Sequence, residues 1–211
     1  MLSFAIKVFL ALFAVMNPFP NVTLFLALTE NLDNAARKAV ARRAVVAAAL
    51  LGLPFVVFGA GILAVLGISL DAFRVTGGIV LFTIAYSLLK GSASPVHAPH
   101  GVEHEEVAGQ DDVALVPLAV PLLTGPGTMT TLTVYGGAPW SMWDHKAIVA
   151  AAFLVVLALT YAFFREAERL QAALSPSVFR LVARVMGLVL AALAVQMAGE
   201  GVRGFLGPSP A

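Results

Sequence analysis

Long apolar runs separated by short polar stretches dominate the chain, and strict alternation of apolar and polar positions is absent. Crossing a hydrocarbon core of about 30 Å takes about 20 apolar residues in a helix. Six runs meet that length: Leu2–Leu28, Val40–Leu66, Ala72–Leu89, Val113–Tyr135, Ala147–Phe164 and Leu181–Val202. Lipid offers the backbone no hydrogen-bond partners, so runs of this length predict helices rather than barrel strands. The fold class predicted is an all-α membrane protein with six transmembrane helices.

The polar stretch 91–112 divides the spans into two sets of three, residues 1–90 and 113–206, with a short tail at 207–211. Features recur in the same order in each set. A long run broken by Gly or Pro comes first, and the third member carries an Arg followed by Gly, as in Phe73-Arg-Val-Thr-Gly-Gly and Ala183-Arg-Val-Met-Gly. Lys and Arg accumulate on the cytoplasmic side of a membrane. With loops assigned alternately, one side takes nine (37, 38, 42, 43, 90, 165, 169, 180 and 184) and the other four (7, 74, 146 and 203). That split places the 91–112 loop in the cytoplasm and both termini outside it. Three spans per set is an odd number, so the predicted repeats are inverted, with the first and fourth helices broken.

Composition narrows the class further. The chain is 60% hydrophobic and 12% charged, where a soluble domain carries about 25% charged residues. The lipid bilayer is the implied partner. A net charge of +1 without a basic block excludes a nucleic-acid partner. The sequence has no cysteine, so disulfides, thiolate metal sites and cysteine nucleophiles are excluded. The N-terminal run is read as a retained span, because Lys7 lies inside the apolar stretch and Asn-Pro-Phe-Pro interrupts its middle.

Candidate chemistry concentrates at the two breaks. The first is Met16-Asn17-Pro18-Phe19-Pro20-Asn21-Val22-Thr23. Each proline removes an amide hydrogen and clashes with the preceding turn, so the helix is interrupted there and is expected to restart near Asn21 as a cap. Freed carbonyls inside a membrane need a side chain, water or ligand. The second break, Thr124-Gly125-Pro126-Gly127-Thr128, is followed by Thr130, Thr131 and Thr133. A half-helix starting near Thr128 presents free amides and its positive end, which suits a carboxylate. The candidate binding residues are therefore Asn17, Pro18, Phe19, Asn21, Thr23, Thr124, Gly125, Gly127, Thr128 and Thr131. No catalytic residue, metal ligand or cofactor is predicted, since the motifs of membrane-embedded hydrolases are absent.

The segment Pro117-Leu-Ala-Val-Pro-Leu-Leu-Thr-Gly-Pro-Gly-Thr-Met-Thr-Thr resembles the signature of the MarC family of membrane proteins. Asn17-Pro-Phe-Pro-Asn resembles that family's first motif, and Met186-Gly-Leu-Val-Leu-Ala-Ala-Leu-Ala-Val-Gln-Met its last span. Pro20 stands where the family usually has Gly, and Thr23 where it usually has Pro. The resemblance implies a six-span inner-membrane protein grouped with LysE-type exporters. It also implies a SnatA-like transporter of small neutral amino acids. Readings left open are a channel-like or accessory protein, a small-solute or metal exporter, coupling to H+ or Na+, and a homo-oligomer.

Several other residues attract attention. His97, His100, Glu103, His104, Glu105 and Glu106 resemble a metal cluster, but Pro95, Pro99 and Gly101 favour a solvated loop. Glu200 and Gln196 sit near the end of the last span, where an acid is a candidate for proton coupling. Asp71 and Arg74 are expected to pair in a tight turn. Trp140 and Trp143 match interface anchors. Gly52, Pro54, Gly59 and Gly61 are expected to serve close packing and a kink.

Overall fold

The computed structural model describes residues 1–90, 114–137 and 143–206. Helices account for almost all of them, and no strand occurs among the described residues. The first apolar run folds as α1 (Leu2–Met16) and α2 (Pro18–Leu28), joined by the single residue Asn17. Then come α3 (Asn34–Val65) and α4 (Leu70–Lys90). The fourth run is split into a π-helix, π1 (Ala114–Leu123), and α5 (Pro126–Gly136). The chain ends with α6 (Trp143–Arg165), the short α7 (Ala167–Ala173) and α8 (Pro176–Leu206).

Five described stretches are long and apolar enough to cross a membrane: Leu2–Leu28, Asn34–Val65, Leu70–Lys90, Asp144–Arg165 and Ser177–Leu206. The fourth expected span is absent from that set because its break divides it into pieces of 10 and 11 residues. Each piece is about half the length a crossing needs. The His/Glu cluster of 97–106, Trp140 and the tail 207–211 lie outside the described residues.

Local chemistry sets the helix ends. The Asp33 carboxylate accepts from the Ala36 amide at 2.7 Å, which starts α3 well before its apolar stretch. Gly67 turns the chain at φ +69°, and Ser69 Oγ then caps α4 by accepting from the Ala72 amide at 3.1 Å. Arg74 donates to Asp71 at 2.8 Å, the local pair expected at this turn.

Small residues bring helices into backbone contact. A Cβ on Gly78 of α4 would stand 2.7 Å from the Ala194 carbonyl of α8, and one on Gly187 of α8 would stand 3.1 Å from the Ala85 carbonyl of α4. The crossing is antiparallel, because the early glycine of each helix meets the later alanine of the other. Gly52 of α3 lies under the Phe153 ring of α6, and Gly136 of α5 sits against the Val56 carbonyl of α3. The main core joins Leu12, Met16, Phe25, Leu118, Leu132 and Phe153. A smaller one, with Val15, Leu81, Ile84 and Leu190, fills the space between α1, α4 and α8.

The loops fall at two ends of the bundle. At one end Phe4 lies 4.8 Å from the His145 ring and 6.1 Å from that of Tyr135, and Lys7 meets Glu200. At the other, the Phe25 and Phe164 rings stack 4.4 Å apart, and Arg37 pairs with Glu168.

Candidate functional site

The first break is one residue wide. Asn17 adopts the left-handed conformation, φ 44° and ψ 54°, the sole non-glycine at positive φ among the described residues. Its amide still closes α1 by donating to the Phe13 carbonyl at 2.9 Å. Pro18 then occupies the first position of α2, where a missing amide hydrogen costs nothing. Asparagine tolerates this region better than other side chains, although a following proline disfavours helical backbone in the residue before it. The expected restart near Asn21 is therefore corrected: α2 begins at Pro18. Asn21 does not cap the free amides either. Its Nδ2 donates to the Met16 carbonyl at 2.9 Å, satisfying an acceptor that the break has released.

Asn17 is only 6% exposed, and its Oδ1 is buried without a hydrogen-bond partner. An unpaired polar atom in a dry interior costs about 1–3 kcal/mol. Left-handed backbone adds about 1–2 kcal/mol. Two unfavourable terms meet at one buried residue.

The second break is built differently. Pro117 and Pro121 stand four residues apart in π1, and a proline inside a helix removes the amide that an undisturbed α-helix needs. Thr124 ends this segment by directing both its amide (2.9 Å) and its hydroxyl (2.8 Å) onto the Ala119 carbonyl. Gly125 is extended, and α5 starts at Pro126 without a side-chain cap. The amides of Gly127 and Thr128, in the first turn of α5, lie too early to find intrahelical carbonyls. Thr130 and Thr131 return their hydroxyls to Pro126 and Gly127 at 2.7 and 2.8 Å. Thr133 Oγ1 is buried without a partner.

Gly125, Gly127 and Thr128 line a narrow crevice with Val15, Ile84 and Leu122. A Cβ on Gly127 would come within 2.6 Å of Leu81 and 3.3 Å of Val15. The second break thus lies against the last turn of α1, two residues before Asn17. The other candidates separate from this group. Phe19 stacks on Phe179 at 4.7 Å and meets Phe163 edge-on, and Thr23 is exposed. The sequence reading passed over the apolar walls of the crevice, Val15, Leu81 and Ile84. Only their position beside the glycines, which needs the fold, marks them. Among the described residues no three His, Cys, Asp or Glu side chains converge as a metal site.

Helices of spanning length, a split fourth run and a largely apolar surface define a multi-pass α-helical integral membrane protein. Comparison of sequences carries this further. The model of the MarC family, described as MarC family integral membrane protein, matches residues 2–206, and the chain belongs to that family. It is 40% identical over 204 residues to the UPF0056 membrane protein YvbG of Bacillus subtilis (strain 168), covering 97% of this chain and 96% of the relative. It is 32% identical over 202 residues to the UPF0056 membrane protein YhcE of Escherichia coli (strain K12), covering 94% and 91%. No solved structure matches the chain.

Proposed function

We propose that the chain is an inner-membrane transporter of small neutral amino acids or similar small zwitterions, working by alternating access around the two broken helices. The observation that carries this reading is Asn17. A buried, unpartnered amide oxygen on left-handed backbone is an arrangement that folding alone disfavours, and such sites are found where a ligand completes them. Asn17 Oδ1 accepts from the substrate's ammonium. The uncapped first turn of α5 receives the carboxylate, on the amides of Gly127 and Thr128 and on the Thr128 hydroxyl. Pro18, Thr124 and Gly125 hold the backbone ends open, Asn21 keeps the Met16 carbonyl occupied, and Thr131 continues the polar face. Phe19 and Thr23 act outside this centre.

The pattern of helix neighbours supports inverted repeats. The α1–α2 run packs on α6, and α3 packs on π1 and α5; exchanging the first three spans for the last three interchanges these two contacts. The same exchange leaves the α4–α8 and α3–α6 contacts in place. The Gly78–Ala194 and Gly187–Ala85 contacts are partners under it as well. With the nine-cation end in the cytoplasm, both termini lie outside.

The test is uptake of labelled alanine into proteoliposomes holding the full chain. Saturable uptake is expected, falling about tenfold or more in Asn17→Ala and Thr128→Val, as loss of hydrogen bonds to charged groups implies. Non-saturable flux would instead favour a channel. Wild-type rates in both variants would reject the site.

A further inference from the structure

A second crevice lies next to the first, toward the end of the bundle that holds Lys7 and Glu200. Val15 borders both crevices. Beyond it the walls are Ala11, Leu81, Thr131, Tyr135 and Gln196, with Glu200 at the rim. The free space is about 20 Å³, room for about one water molecule. The two crevices share Val15, and neither has room for more than about one water molecule, so no open path joins them in this conformation.

Beside Glu200 at its rim lies a charge of the opposite sign from the other half of the chain, and the Asp71–Arg74 pair stands nearby against Gly201. Lys7 Nζ, on α1, lies 3.9 Å from Glu200 Oε1, on α8. Gln196 Nε2 donates to that same oxygen at 3.0 Å, which fixes the carboxylate while the lysine remains loosely held. Lys7 Nζ also lies 5.8 Å from the centre of the Tyr135 ring, on the crevice wall. Both side chains are a little under half exposed. A pair of that exposure is weakly held, so it opens readily.

A small zwitterion carries the same two charges at similar separation. We infer that Lys7 and Glu200 form a gate that a small amino acid opens by substituting itself charge for charge, Glu200 taking its ammonium and Lys7 its carboxylate. This rests on the transport reading and adds to it a recognition site at the mouth of the route. The substrate then passes along Thr131 to the uncapped turn of α5. Gln196 is the positioning residue, because it holds the Glu200 carboxylate toward the opening.

The native sequence has no cysteine, so Ala11→Cys introduces a single thiol in the crevice wall. In whole cells expressing this full-length variant, labelling by a membrane-impermeant maleimide reports whether the route is open, with no substrate present. With the gate intact labelling is slow. Adding Lys7→Gln or Glu200→Gln is expected to raise its rate up to about fivefold, and the swapped pair Lys7→Glu with Glu200→Lys to restore slow labelling. In proteoliposomes, Glu200→Gln is expected to raise the KM for alanine about tenfold with a smaller change in maximal rate. Unchanged labelling in both single variants, or an unmoved KM, overturns the gate. If wild-type uptake saturates while labelling does not respond, the transport reading stands and the gate falls. If labelling responds but the wild type takes up no amino acid, the amino-acid trigger falls with the substrate assignment and only the Lys7–Glu200 closure stands.

Discussion

Asn17 combines two requirements that different substitutions separate. Its backbone needs a residue tolerant of left-handed φ, and its side chain places an oxygen without a protein partner in the buried interior. Glycine meets the first requirement and removes the second. Asn17→Gly is expected to unfold at a temperature equal to or above that of the wild type, while losing uptake. Asn17→Ala also removes the oxygen but fits left-handed backbone less well than glycine, so it should be less stable than Asn17→Gly by about 1 kcal/mol. Thermal unfolding in detergent, run beside uptake, separates the two; equal uptake in all three proteins would end the case for Asn17. Gly127 is constrained by space alone. A Cβ there would meet Leu81 and Val15, so Gly127→Ala should cost about 1–3 kcal/mol and close the crevice.

Glycines in the helices divide into those that touch a neighbour and those that touch nothing. Gly78 faces the backbone of α8, which cannot rotate aside, so Gly78→Ala should lower the unfolding temperature. Gly61 and Gly199 have open space around the position of a Cβ. Replacing either by alanine should be neutral or stabilising by up to about 1 kcal/mol, through helix propensity. Of the glycines expected to serve close packing, Gly52 and Gly59 do so, against Phe153 and Thr133, and Gly61 does not. The breaks were legible because proline and glycine act locally: a missing amide is a property of the residue itself. How each break resolves was not legible. Whether Asn21 caps α2 or serves the Met16 carbonyl depends on where α2 starts, and a one-residue joint at Asn17 decides that. The π turns of 114–123 were equally out of reach, since Pro117 and Pro121 forbid an undisturbed α-helix without choosing its replacement.

Across the whole molecule, the end opposite the Lys7–Glu200 rim is tied by Arg37. Its guanidinium donates to Thr29 Oγ1 at 3.1 Å, to the Thr29 carbonyl at 3.0 Å and to the Leu32 carbonyl at 3.3 Å, and it pairs with Glu168. One side chain thereby holds the turn after α2, the start of α3 and the short α7 together. Arg37→Met should cost about 1–3 kcal/mol by stranding those acceptors. Glu168→Gln should cost less than about 1 kcal/mol, because the carboxylate is over half exposed and water replaces its partner. Equal losses in the two would place the tie in the ion pair rather than in the turn. The sequence revealed the alternation of charged ends but not this role for Arg37, because its acceptors are carbonyls, and every residue has one. For the same reason Lys7 and Glu200 read as separate residues, since nearly the whole chain lies between them.

The close approach of α4 and α8 has a mechanical consequence. Where backbones meet through Gly78 and Gly187, there is no side-chain layer to shear, so the two helices must travel as one body, a stator spanning both halves of the chain. Any change in which end of the route is open then has to be taken up where the rods are already cut, at the single joint of Asn17 and the extended Gly125. Under the proposed function, the helices that bind are in this sense also the helices that bend. A substrate seated across both cuts would hold the two movable ends in register with each other, coupling occupancy to motion without any need for a separate signal.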